Sequence, residues 1–181
     1  MTTDKNQQTG YASVNGLNLY YEIHGNGQPL ILLPGGFMTV EAMGELVPQL
    51  AATRRIIGVE LQGHGHTADI ERELRFELMA DDIAALIRYL GLEQADIFGF
   101  SLGGGVGLQT AIRHPELVRK LALASTAFKR DGWYPEVLAG RHGLDQRRHL
   151  CRNPDPRSLS QDLDQARSLA DLRCQDEAIA E

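Results

Sequence analysis

Cysteine is nearly missing: Cys151 and Cys174 are the 2 thiols in 181 residues, and neither belongs to a CxxC or metal-ligand pattern. That argues against a disulfide framework and against a metal held on thiolates, and it fits free thiols in a reducing, cytoplasmic setting. Positive charge is also short. Lys and Arg number 18 against 24 Asp and Glu, for a net charge of −6, and no basic stripe is available to neutralise phosphates. A nucleic-acid partner is disfavoured on that ground. Long apolar runs are lacking as well, since nothing approaches the roughly 18 consecutive apolar residues of a membrane helix. Residues 1–10 are polar and have no apolar centre of the kind a secretory signal needs, so no membrane partner is expected. No G-x-G-x-x-G follows the first parallel strand and no P-loop occurs, which removes the two commonest nucleotide-binding signatures.

What is present reads as one soluble domain. Apolar residues make up 43% and charged residues 23%, ordinary values for a globular chain long enough to bury a sizeable core. Residues 12–14 and 17–23 form two strand patterns around Asn15-Gly16, a pair that tolerates the positive φ of a two-residue hairpin loop. Residues 29–33 are a continuous apolar run of the kind found in a buried strand, 55–60 repeat a buried-strand pattern, and 95–100 and 117–125 read as two further short strands. Between them lie helical patterns over 40–51, 76–90 and 101–113. In the second, Met79, Ile83, Leu86 and Leu90 share one face, and Gly91 stands where a glycine would end the helix. Strands separated by single helices predict an α/β fold: a mostly parallel sheet of about six strands, an N-terminal hairpin, and helices on both faces.

The character changes after about residue 138. Residues 139–181 contain no aromatic residue, no lysine and seven arginines. A helix over 158–178 is compatible with Leu159, Leu163, Ala166 and Ala170 on one face, but no further buried strand is legible. The expected organisation is a polar tail over 1–10, an incomplete core over 11–138, and a lid-like or altered helical tail over 139–181. A shift of reading frame near Gly140 would produce such a tail, and so would a divergent lid. A sheet that stops at its sixth strand would leave an uncovered edge open to self-association.

One motif carries chemistry. The strand over 95–100 runs directly into Ser101-Leu102-Gly103, giving Gly99-Phe100-Ser101-Leu102-Gly103, a G-x-S-x-G between strand and helix. Lifting a serine hydroxyl clear of a sheet edge demands a bend so sharp that side chains at 99 and 103 would collide, and glycine removes them. Ser101 would then face the helix N-terminus, where free N–H groups favour developing negative charge. An earlier strand ends at Pro34-Gly35-Gly36-Phe37, on the same edge of a parallel sheet. The amides of Leu102 and of Gly36, with Phe37 as the alternative, are candidates for an oxyanion hole. Phe100 and His64 are candidates for the pocket wall.

Residues 10–138 resemble the α/β-hydrolase fold superfamily, and within it the serine-nucleophile esterases, haloperoxidase-like enzymes and C–C-bond hydrolases. The resemblance rests on His24-Gly25-Asn26-Gly27, Pro34-Gly35-Gly36, Glu60-Leu61-Gln62-Gly63-His64-Gly65-His66-Thr67, Ala80-Asp81-Asp82-Ile83, the turn over 99–105, and His114-Pro115-Glu116. Two departures stand out: members usually carry His-Gly where this chain has Pro34-Gly35, and Asp where it has Glu60. The resemblance implies a catalytic acid and a histidine after later strands, beyond the end of this sequence. Of the histidines present, His24 and His114 are expected to be structural, the latter capping helix carbonyls. His64 and His66 fall on the catalytic edge as turn or pocket residues, and their H-x-H spacing has no third ligand to make a metal site. His142 and His149 lie in the tail. Asp131, just past the sixth strand, is a candidate acid, whereas Asp81 and Asp82 are expected to be solvated.

The sequence therefore leads to a serine hydrolase of an ester or related acyl or C–C bond in a small molecule, needing no cofactor and no metal. The chain is read as stopping before its catalytic acid and histidine. The alternative is a non-catalytic small-molecule-binding or scaffold protein that keeps the pocket.

Overall fold

The computed structural model describes residues 8–127. Asp131, both tail histidines, and the expected segments over 1–7 and 128–181 lie outside them. Six strands appear in the order expected: β1 (Gln8–Val14), β2 (Leu17–His24), β3 (Gln28–Leu33), β4 (Arg54–Val59), β5 (Ala95–Phe100) and β6 (Val118–Ala124). Three helices join them: α1 (Leu46–Ala51), α2 (Phe76–Tyr89) and α3 (Leu102–Arg113). In space the strands run β1-β2-β4-β3-β5-β6. The β1–β2 hairpin joins β4 antiparallel, while β4, β3, β5 and β6 are mutually parallel.

Burial explains the composition of each strand. In β3, Ile31 and Leu33 point to one face and Leu30 and Leu32 to the other, and all four are buried. A central parallel strand covered on both sides has no solvent face, so its sequence cannot alternate. One face packs with Ile57, Val59 and Ile97 against Met79, Ile83, Leu86 and Ile87 of α2 and Val106 of α3. The other packs Leu30, Leu32 and Ile56 with Val40 and Val47 beneath α1. The expected end of α2 is realised as a Schellman motif. Gly91, at φ 66°, donates to the Arg88 carbonyl (3.0 Å) and Leu92 to the Ile87 carbonyl (3.1 Å).

Some expectations need correction. The helix expected over 40–51 is broken into a single 3-10 turn, Glu41–Met43, and the six-residue α1. Gly44, at φ 54° and ψ −132°, interrupts the ladder between them. β1 starts at Gln8 rather than residue 12, because Gln8, Thr9 and Gly10 pair with Ile23, Glu22 and Tyr21. Asp82 is not solvated: it is 1% exposed and takes both Arg72 nitrogens, at 3.1 and 2.5 Å, while accepting from the Asn15 side chain at 3.0 Å. That cluster ties the hairpin turn to α2 and to the loop after β4. Asp81 is only partly solvated and holds Arg113 and His114, the latter at 2.8 Å, so His114 meets a carboxylate instead of capping carbonyls. The Arg113 hydrogen bond holds the Asp81 carboxyl below its ordinary range.

At the opposite end of the sheet, Asp96 of β5 binds Arg54 of β4 and Arg119 of β6, at 2.7 and 2.5 Å. β6 pairs only with β5 among the described residues, and Arg119, Lys120, Ala122 and Leu123 are exposed. No helix among the described residues is long and apolar enough to cross a membrane.

Candidate active site

β5 delivers Ser101 to the edge where the parallel strands end. Its backbone sits at φ 50° and ψ −112°, a region that a residue with a Cβ enters only when its surroundings force it. Two bonds supply the force. The Ser101 N–H donates to the Ala124 carbonyl at the end of β6 (2.9 Å), and the Gly103 N–H donates to the Pro34 carbonyl just past β3 (3.1 Å). The bend is pinned from both sides.

The two glycines are needed, though for a reason sharper than mutual collision. A methyl at Gly99 would fall 2.5 Å from the Gly103 carbonyl oxygen and 2.6 Å from the Gly104 Cα, inside the first turn of α3. One at Gly103 would land on the carbonyl oxygens of Leu33 and Pro34. So Gly99 makes room for the helix, and Gly103 lets the helix meet β3. Gly104 and Gly107 likewise permit close packing, on Thr126 and Ile97, whereas Gly105 faces the Phe76 ring of α2 and not the sheet.

A helix leaves its first amides without intrahelical partners. Here the amides of Gly104 and Gly105 turn back to the Ser101 carbonyl (3.1 and 3.2 Å), and that of Gly103 goes to Pro34. The Leu102 amide has no backbone acceptor among the described residues. The 34–37 segment lies alongside: a methyl at Gly36 would touch the Leu102 side chain at 3.8 Å. Residues 35–38 form a tight turn closed by the Met38 N–H on the Gly35 carbonyl (3.2 Å), with Phe37 at φ 62°. The Phe37 ring is 94% exposed, with His64 as its ring neighbour at 6.1 Å. Phe100 packs against Gly35, so it lines the same corner. The Ser101 side chain is half-buried, and its hydroxyl makes no hydrogen bond among the described residues.

The loop after β4 forms the neighbouring rim, and its buried polar anchors were not foreseen. Glu60 is 1% exposed and accepts from the Val40 amide (3.3 Å), the His66 amide (2.5 Å) and His66 Nδ1 (2.9 Å). Gln62, also 1% exposed, holds Asp69, Arg72 and the carbonyls of Ile70 and Arg72. Thr67 donates to the Glu60 carbonyl (2.6 Å) and accepts the Tyr20 amide (2.9 Å). Polar residues directly after a buried strand were the available signal, because a loop that must hold its shape there satisfies its backbone internally. The longer Glu60 keeps an acidic anchor where Asp is usual. Tyr20 stacks on His66 at 4.4 Å, and burial, aided by the nearby Glu22, pushes its hydroxyl up to about 12.

The histidines fall as follows. His24 Nε2 meets Glu22 at 2.9 Å, His64 Nδ1 donates to the Gln62 carbonyl at 2.9 Å, His66 binds Glu60, and His114 binds Asp81. None of these four is hydrogen-bonded to Ser101. Among the described residues no cluster of His, Cys, Asp and Glu could hold a metal ion.

A model of the alpha/beta hydrolase fold family matches residues 28–153. The chain belongs to the α/β-hydrolase fold family. Over 107 residues this α/β-hydrolase is 36% identical to the 2-hydroxymuconate semialdehyde hydrolase of Pseudomonas sp. (strain CF600), an alignment spanning 57% of this chain and 38% of that protein. It is 33% identical over 132 residues to a pimeloyl-[acyl-carrier protein] methyl ester esterase of Aeromonas hydrophila, covering 68% of this chain and 50% of that one. The crystal structure of the enol-lactonase from Burkholderia xenovorans LB400 superposes with a TM-score of 0.63 at 28% identity, over 74% of this chain and 56% of that one. The α/β-hydrolase chain thus spans about half the length, or less, of the curated relatives it matches. Those relatives are hydrolases.

Proposed function

We propose that this chain carries the nucleophilic half of a serine hydrolase acting on an ester or related acyl or C–C bond of a small molecule. The carrying observation is the Ser101 bend at φ 50°: among the described residues its hydroxyl makes no hydrogen bond and the neighbouring Leu102 amide has no backbone acceptor. In the proposed reaction Ser101 Oγ adds to the carbonyl carbon while its proton passes to a base. The Leu102 and Gly36 amides, with Phe37 as the alternative to Gly36, receive the resulting oxyanion. One such donor contributes about 3–4 kcal/mol to the transition state. Collapse of the intermediate expels the leaving group with the proton, and water then releases the acyl group from Ser101.

The base and acid belong outside residues 8–127 in this reading, because every described histidine already holds another residue. Asp131 remains the candidate acid, and Phe100 and His64 the candidate pocket wall. Labelling with a fluorophosphonate probe tests the assignment. The expected result is a single adduct on Ser101, lost in Ser101→Ala; an adduct elsewhere, or one that survives the substitution, overturns it. The absence of a bond between Ser101 and any of the four described histidines favours a second reading, a binding protein that retains the pocket without the chemistry. Folded protein that binds small esters yet takes no label would establish that reading instead.

The outer edge of β6, which pairs with no other strand among the described residues, is proposed to pair with a second copy of the chain. Sedimentation that stays monomeric across a hundredfold range of concentration would refute that pairing.

A further inference from the structure

The far end of the sheet holds a recess that the proposed chemistry does not use. It has a volume of about 280 Å³ and is lined by Gln8, Ile23, Gly25, Asn26 and Arg55. Arg55 is the second residue of β4, whereas Ser101 follows the last residue of β5, and both strands run in the same direction. The two therefore sit at opposite ends of strands that each span roughly 20 Å.

We propose that this recess binds a small oxyanion, a carboxylate or a phosphate, on the Arg55 guanidinium. The contrast with the preceding residue carries the argument. Arg54 is neutralised by Asp96, at 2.7 Å. Arg55 is half-buried yet makes no ion pair or hydrogen bond among the described residues. A half-buried guanidinium keeps five N–H donors in a rigid fork, and an oxyanion is the partner whose geometry fits it. The turn beside it offers further donors. Gly25 and Gly27 take φ 70° and 113°, and the amides of Gly25, Asn26 and Gly27 have no backbone acceptor among the described residues. Successive free amides around a left-handed residue make a concavity that favours anions. The Gln8 and Asn26 side-chain amides add neutral donors at the rim, and Ile23 forms an apolar wall. One positive charge and a volume this small select a compact anion over a nucleotide.

Amide and arginine side-chain NMR resonances, followed during titration with inorganic phosphate and separately with sodium acetate, test the proposal. Ionic strength is held constant with sodium chloride. Saturable shifts of the Gly25, Asn26 and Gly27 amides and of Arg55 Nε–H are expected with at least one anion. Saturation by acetate alone identifies a carboxylate site, and by phosphate alone a phosphate site. Arg55→Gln should weaken binding by about tenfold or more, the scale of a lost charge-assisted hydrogen bond. Asn26→Ala, on an exposed turn, should weaken it a few-fold and serves if the arginine variant does not fold. The proposal is overturned if neither anion saturates, if chloride alone reproduces the shifts, or if affinity is unchanged in whichever variant folds.

Discussion

Replacing Gly103 by alanine isolates the contact on which the serine bend depends. The added methyl would meet the carbonyl oxygens of Leu33 and Pro34, which are backbone atoms at the end of a buried strand and cannot rotate away. Overpacking of this sort costs about 1–3 kcal/mol. If α3 lifts to relieve it, the Gly103–Pro34 hydrogen bond at 3.1 Å is lost, for about 1 kcal/mol more. Gly16→Ala is the matched control. Gly16 has φ 83° but open space around a new methyl, so its cost is backbone strain alone, roughly 1–2 kcal/mol. The expected difference of about 1–2 kcal/mol corresponds to a urea midpoint lower by on the order of 1 M for Gly103→Ala. The same displacement moves Ser101 relative to the Gly36 and Leu102 amides, so fluorophosphonate labelling should slow by about a hundredfold in Gly103→Ala and be unchanged in Gly16→Ala. Equal midpoints and equal labelling rates in the two variants would show that the α3–β3 contact does not hold the bend.

Two further results are expected from the buried polar groups. Asp82→Ala strands Arg72 beside the core and should destabilise the fold by about 3–5 kcal/mol, read by urea denaturation; a loss under 1 kcal/mol would mean that Arg72 escapes to water. Tyr20 should ionise near pH 12 in an ultraviolet titration at 295 nm, and that component should vanish in Tyr20→Phe. Because its folded value lies above the ordinary 10.0, the stability it contributes is complete below pH 10 and is lost as pH rises from 10 towards 12. A Tyr20→Phe protein with the same alkaline decline in melting temperature would refute the linkage.

The strands and the serine bend were legible because each has a short-range cause. Residues 97–100 are free of polar side chains, Gly99 and Gly103 flank Ser101, and Gly91 ends α2, so a local reading finds them. Asp82 and the break at Gly44 were not legible for the opposite reason. An aspartate on an amphipathic helix reads as solvated until Arg72 and Asn15, 10 and 67 residues away, are brought against it. The anchoring role of Glu60 depends in the same way on Val40, 20 residues earlier. The Gly99 and Gly103 motif gave the place of the bend, whereas it is the packing of the folded chain that makes one glycine admit the helix and the other admit β3.

The two bonds that clamp Ser101 come from distant parts of the chain: Pro34 has been made long before the serine, and Ala124 follows it by 23 residues. During synthesis, then, a nascent chain reaching only the end of α3 holds every atom of the G-x-S-x-G sequence without the acceptor that fixes its shape. Ser101 acquires its clamped backbone only once β6 has emerged and docked. The bend is thus a property of the assembled sheet, and a polypeptide that stops short of β6 lacks half of the clamp that holds it.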